Sequence, residues 1–163
     1  MIRPVKTTDI EQLVEIYNHY IRETTITFEE AEVDVINFAD RVQKISSKFP
    51  FLVYEDQRRI LGYAYANTFR ERIAYRFTTE TSVYVRHNGS RAGVGSALYS
   101  RLIELLKEQG YHRAIGGITL PNDTSVSFHE KFGYKKVAHL TEVGKKFGQW
   151  LDVGFYELDL GNR

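Results

Sequence analysis

Apolar positions along this chain recur with two periods, and each change of period marks an element. Residues 2–5 read as a short strand, held to a sheet edge or strand end by Pro4. Thr8-Asp9-Ile10-Glu11 fits a capping box. Ile10, Leu13, Val14, Tyr17 and Ile21 then form one helical stripe to about Thr24. Residues 24–28 are β-branched and read as extended, and Glu29, Glu30 and Glu32 as a solvated acidic loop. A second helix is predicted over 34–46, turning Val35, Phe38, Val42 and Ile45 inward. Residues 51–54 form a strand after Pro50, 55–59 a polar turn and 60–68 the returning strand. Residues 69–78 are irregular, with Arg70, Arg72 and Arg76 interleaved among Phe69, Tyr75 and Phe77.

The middle of the chain organises the rest. Thr81, Val83 and Val85 alternate with Ser82 and Tyr84, a strand pattern. Asn88-Gly89-Ser90 breaks it. From Gly93 the period becomes helical: Val94, Leu98, Leu102 and Leu105 share a stripe, with Ala97 beside them. A strand follows at 114–120, ended by Pro121-Asn122-Asp123, then a short helix at 124–131 that stops at Gly133. Residues 134–143 and 150–160 make a last strand pair around a polar link at 144–149. The order β α α β β β α β α β β implies an α+β, mixed α/β domain. The β–α–β unit over 81–120 should be a right-handed parallel crossover.

A strand feeding a helix through glycines exposes backbone amides. Gly93 and Gly95 would let a ligand approach the main chain, and the helix dipole would favour an anion there. The same Gly-x-Gly also suits a tight turn with close helix packing. No Gly-Lys-Ser/Thr follows it, and Leu98 stands where a dinucleotide fingerprint would carry its third glycine.

Composition narrows the class. A length of 163 residues, 42% hydrophobic and 26% charged, suits one globular domain spanning 1–163. The net charge of +1 argues against a nucleic-acid binder working through a strong field. There is no cysteine, which removes disulfides, a thiol nucleophile and cysteine metal sites. No apolar run approaches the ~20 residues that span a membrane, and the first residues have no signal-peptide core, so a cytoplasmic protein without a membrane partner is expected. His19, His87, His112 and His139 have no metal-ligand spacing, and no metal is expected.

Five ordered stretches carry a resemblance. They are Glu80-Thr81-Ser82-Val83-Tyr84-Val85, Gly93-Val94-Gly95-Ser96-Ala97-Leu98-Tyr99, residues 120–126 (LPNDTSV), residues 129–134 (HEKFGY) and residues 143–153 (VGKKFGQWLDV). Together they resemble the GCN5-related N-acetyltransferase (GNAT) superfamily over the whole chain, and its phosphinothricin and methionine sulfoximine acetyltransferase branch in particular. The family's phosphate loop usually begins with Gln or Arg where this chain has Ser90, and Arg91 follows. The resemblance implies a central twisted mixed sheet with two splayed parallel strands and acetyl-CoA lying across the splay. The co-substrate would meet Val83, Tyr84 and Val85 of the strand, Arg91, Ala92, Gly93, Val94, Gly95 and Ser96 of the loop, and Asn122 and Ser125.

Acetyl transfer to an amine calls for a base, an oxyanion donor and protonation of the leaving thiolate. Glu80 reads as an exposed strand-end carboxylate or, with the resemblance, as the base acting directly or through water. The Val85 amide is the oxyanion donor the family implies. His129 takes the place of the family's thiolate-protonating tyrosine, though a helix histidine satisfying a carbonyl fits as well. Arg70, Arg72 and Arg76 suit a substrate carboxylate, with Tyr75 as a pocket wall. Lys146 and Phe147, with Trp150, match the tail motif and would complete the pocket, across a homodimer interface if one forms. The expectation is an acetyl-CoA-dependent N-acetyltransferase working by direct attack in a ternary complex on a small amino acid or analogue. Acetylation of a polyamine or a protein N-terminus, and a CoA-binding sensor without turnover, remain as alternatives.

Overall fold

A computed structural model of the chain describes residues 1–88 and 92–163. Its strands are β1 (Ile2–Pro4), β2 (Phe51–Asp56), β3 (Arg59–Thr68), β4 (Thr78–Val85), β5 (Arg113–Leu120), β6 (Lys135–Lys146) and β7 (Gln149–Asp159). Its helices are α1 (Ile10–Glu23), α2 (Val35–Ser46), α3 (Val94–Glu108) and α4 (Asp123–Lys131), with short 3-10 turns at Thr7–Asp9 and Ile73–Tyr75. One seven-stranded sheet runs β1-β2-β3-β4-β5-β7-β6. It is antiparallel except for β4 and β5, so the mixed architecture expected from the element order is present.

Strand alternation sorts the core onto two faces. Tyr63, Phe51 and Val53 pack under α1 and α2 with Leu13, Tyr17, Ile21 and Phe38. Leu52, Ala64, Ala66, Ala114 and Ile118 pack under α3 with Leu98, Tyr99, Leu102 and Leu106. Leu105, expected on the buried stripe of α3, is only partly covered; Tyr99 and Leu106 are buried instead. Val35 is 43% exposed, because α2 turns only Phe38 and Val42 fully inward.

Three local expectations change. Thr8 makes no cap: Asp9 accepts the Lys6 amide at 2.8 Å and a bidentate pair from Arg3, so a buried carboxylate organises the turn before α1. Residues 24–28 form no strand. The link at 144–149 shrinks to a two-residue turn, Phe147-Gly148, both with positive φ as a tight hairpin demands, and β6 runs on to Lys146. Among the described residues no helix is long and apolar enough to cross a membrane, and no three His, Asp or Glu are grouped to hold a metal.

Candidate active site

β4 begins at Thr78, so Glu80 lies inside the strand rather than at its start. Its register defines the site. β4 pairs with β5 only at Thr78↔Arg113, Thr79↔Ala114 and Glu80↔Ile115. Beyond Glu80, β4 stays on β3 as far as Gly62↔Val85, while β5 follows β7 to Leu120↔Asp152. The two central strands therefore part immediately after Glu80.

Side chains alternate across that vertex. Glu80, Ser82 and Tyr84 face α1 and α2; Thr81, Val83 and Val85 face α3 and α4. Burial pushes the Glu80 carboxyl above the ordinary carboxylate range, and the Arg70 guanidinium partly offsets this. Oε1 of Glu80 lies 3.8 Å from where a Cβ on Gly117 would stand. On the other face a Cβ on Gly116 would come within 3.0 Å of the His129 ring. Adjacent glycines thus clear room for Glu80 on one face of β5 and for His129 on the other. Sequence reasoning passed over them, although a Gly-Gly pair inside a strand pattern signals close approach.

His129 is 7% exposed, and both ring nitrogens are engaged. Nδ1 is 2.7 Å from the Ser125 carbonyl, which can only accept, so Nδ1 carries the proton. Nε2 is 3.1 Å from the Tyr99 hydroxyl. Burial holds the imidazole below its ordinary pKa, despite the Ser125 carbonyl, which favours the charged form. A neutral imidazole is a weak acid, so this geometry does not support the expected role of protonating a thiolate.

At the glycine turn, Gly93 caps α3 with φ 89°, a conformation natural to glycine, and this N-cap residue has no side chain to bond the helix end. The first intrahelical bond runs from the Ala97 amide to the Gly93 carbonyl, so the amides of Val94, Gly95 and Ser96 precede it. Chain neighbours aside, none of the described residues lies within 4 Å of where a Gly93 Cβ would be, and Ala92 beside it is exposed. A Gly95 Cβ would stand 3.3 Å from the Val85 side chain. These residues fit an anionic ligand bound by main-chain amides. Arg91 and Ser90 lie outside the described residues.

The remaining candidates divide. Val83 and Val85 turn their side chains into the α3 core, while the Tyr84 ring packs among Tyr17, Tyr20 and Tyr63. The Val85 amide meets the Tyr20 hydroxyl at 3.3 Å, and that hydroxyl donates to the Val85 carbonyl at 2.6 Å. Tyr20 had no place in the sequence reading, since nothing in the spacing of α1 reveals which backbone groups its side chains reach. Asn122 caps α4 by accepting the Ser125 amide at 3.0 Å. Arg70 lies over the Phe69 ring at 5.3 Å, where its charge favours the ionised Glu80; Arg76 lies over the Phe77 ring at 4.5 Å and bonds the Ile73 carbonyl. Arg72 precedes the exposed turn that carries Tyr75, itself packed edge-on to Phe69.

Lys146 corrects the expectation of a substrate contact. It is 1% exposed, and its ammonium donates to the carbonyls of Thr24 and Thr27, each at 2.8 Å. Buried and engaged in this way, it ties the β6–β7 hairpin to the loop after α1. Phe28 of that loop covers Gly144, leaving no room for a Cβ there. Phe147 and Trp150 are exposed by 57% and 60%.

Residues 2–154 match the family model described as an acetyltransferase (GNAT) domain. The chain is 37% identical over 158 residues to a phosphinothricin N-acetyltransferase of Streptomyces viridochromogenes, covering 97% of this chain and 86% of that protein. It is 34% identical over 160 residues to an L-methionine sulfoximine/L-methionine sulfone acetyltransferase of Salmonella typhimurium, covering 98% and 94%. A Salmonella typhimurium acetyltransferase structure containing acetyl-CoA superposes with a TM-score of 0.96 at 33% identity, covering 100% of this chain and 95% of that one.

Proposed function

The chain belongs to the GNAT acetyltransferases, and on that premise we propose that it is an acetyl-CoA-dependent N-acetyltransferase acting on the amino group of a small amino acid or analogue of the phosphinothricin or methionine sulfoximine type. The observation that carries this reading is the Glu80 carboxyl at the vertex of the parted strands, raised by burial and answered by Arg70. When bound, acetyl-CoA supplies the activated acetyl group. The amides of Val94, Gly95 and Ser96 at the start of α3 would hold its phosphates, with Arg91 as a candidate further contact, and the edge of β4 at Val83, beyond the last pair with β5, would align its chain.

Glu80 takes the proton from the incoming ammonium, leaving a neutral amine as nucleophile. A pKa raised by burial makes it the stronger base. Arg70 anchors the acceptor carboxylate on the same face. Attack is direct, within a complex of both substrates. A homodimer accompanies this reading, supported by the exposed Val137, Leu140, Val143, Phe147 and Trp150 along the β6–β7 hairpin.

Thiol release from acetyl-CoA, measured against a panel of acceptors, tests the proposal. The panel holds phosphinothricin, methionine sulfoximine, methionine sulfone, ordinary amino acids, spermidine and a short peptide. Turnover confined to the amino-acid analogues is the expected result. Turnover with spermidine or peptide alone would overturn the acceptor class, and none with any acceptor would overturn the enzymatic reading.

A further inference from the structure

The buried ring of His129 ends a chain of hydroxyls whose direction can be worked out. Nδ1 donates to the Ser125 carbonyl, so Nε2 of the neutral ring presents a lone pair. The Tyr99 hydroxyl, 3.1 Å away, must donate to it. The Tyr99 oxygen then accepts from Thr81 Oγ1 at 2.7 Å. Thr81 in turn accepts from the Tyr134 hydroxyl at 2.9 Å, with the Ile115 carbonyl a weaker neighbour at 3.4 Å. Every hydroxyl donates once, and the direction is Tyr134, Thr81, Tyr99, His129.

This chain meets the sheet where β4 leaves β5. Thr81 is the first β4 residue beyond the last parallel pair, and Glu80 precedes it. Tyr99 and Tyr134 are both buried, and their rings stand edge-on to the imidazole at 79° and 88°. Burial pushes the Tyr99 phenol well above its ordinary pKa, so it holds its proton and serves as a hydrogen-bond donor. Tyr99 and Tyr134 are the titratable groups facing the ring, and among the described residues no charged group shifts it. Charging Nε2 would require the hydroxyls to reverse direction.

We propose that His129 is a positioning residue: by accepting the Tyr99 hydroxyl it fixes Tyr99 and Thr81, and through them the point at which β4 parts from β5 and the adjacent Glu80 is presented. The inference rests on Glu80 being the base. It differs from a proton-donor role in one decisive way: an acceptor that cannot donate an acidic proton should still serve.

The test compares His129→Leu, His129→Gln and Tyr99→Phe in the full chain. The amide oxygen of glutamine can stand near Nε2 and accept from Tyr99, yet it is no acid near neutral pH. Leucine is expected to lower kcat about 10- to 100-fold through misplacement of the site, and glutamine to restore most of it with an unchanged pH profile. Tyr99→Phe should lower kcat with the imidazole intact, which keeps the test decisive if the leucine variant does not fold. Glutamine no better than leucine at equal thermal stability, or Tyr99→Phe at full activity, would overturn the proposal. Long-range 15N NMR of the unliganded protein reads the ring directly. A protonated Nε2 at neutral pH overturns the inference whatever the acetyl-transfer assay gives, whereas an inactive protein with an unprotonated Nε2 counts only against the functional reading.

Discussion

Glu80 and Gly117 face one another across the gap between β4 and β5, with the carboxylate oxygen 3.8 Å from the position of a Cβ that Gly117 lacks. The missing side chain leaves the half-buried carboxyl space on its own face. Glu80→Gln should lower kcat by about 10²–10⁴ while acetyl-CoA still binds, checked by steady-state rates beside calorimetric titration. Stability should move the other way. The folded pKa of Glu80 lies above its unfolded value, so its contribution is present at low pH and is lost as pH rises through the folded pKa. The glutamine variant should therefore melt higher than the parent at neutral pH and converge with it in acid.

Gly117→Ala adds a methyl group at ordinary contact distance, so it should fold and melt at or slightly above the parent temperature. It should also shed water from Glu80 and move the acid limb of the pH–rate profile upward. An unmoved limb would argue that Glu80 does not govern it.

On the opposite face, Gly116→Ala brings a Cβ within 3.0 Å of Cδ2 and Nε2 of a buried ring. Overpacking of this kind costs about 1–3 kcal/mol. Thermal melting should show the loss, and Gly117→Ala is its matched control.

Burial raises the Glu80 pKa, and the Arg70 charge partly offsets that rise. Arg70→Gln should raise the acid limb further and raise KM for an amino-acid acceptor about tenfold or more. Arg76→Gln, whose guanidinium rests on Phe77, should do much less. Equal effects at both positions would remove the distinction between them.

Lys146→Met leaves the Thr24 and Thr27 carbonyls without their donor, at about 1–3 kcal/mol for the buried Thr27 group and less for the half-buried Thr24 group. The loop after α1 and the β6–β7 hairpin should loosen together. KM for the acceptor should rise while KM for acetyl-CoA stays near its parent value. A matching rise in both would place the effect elsewhere than the acceptor side.

Much of this was legible in one dimension. Local periodicity determined the elements: the alternation through Val83 and Val85, the helical stripe from Val94, the glycine turn between them and the stop at Gly133 are set by neighbours in the chain. The ordered motifs named the family and singled out Glu80. Tertiary structure decided the rest, because it depends on distances between residues far apart in sequence. Lys146 reads as a residue completing the substrate pocket until it is seen buried, donating to the carbonyls of Thr24 and Thr27. His129 reads as an acid or as a helix histidine satisfying a carbonyl until Ser125 and Tyr99 are seen to occupy both nitrogens. Arg70, Arg72 and Arg76 are equivalent in sequence, and only the fold brings one of them to bear on Glu80. Periodicity settles which face a side chain takes; burial and partners, which set its charge and chemistry, come from the packing of elements against one another.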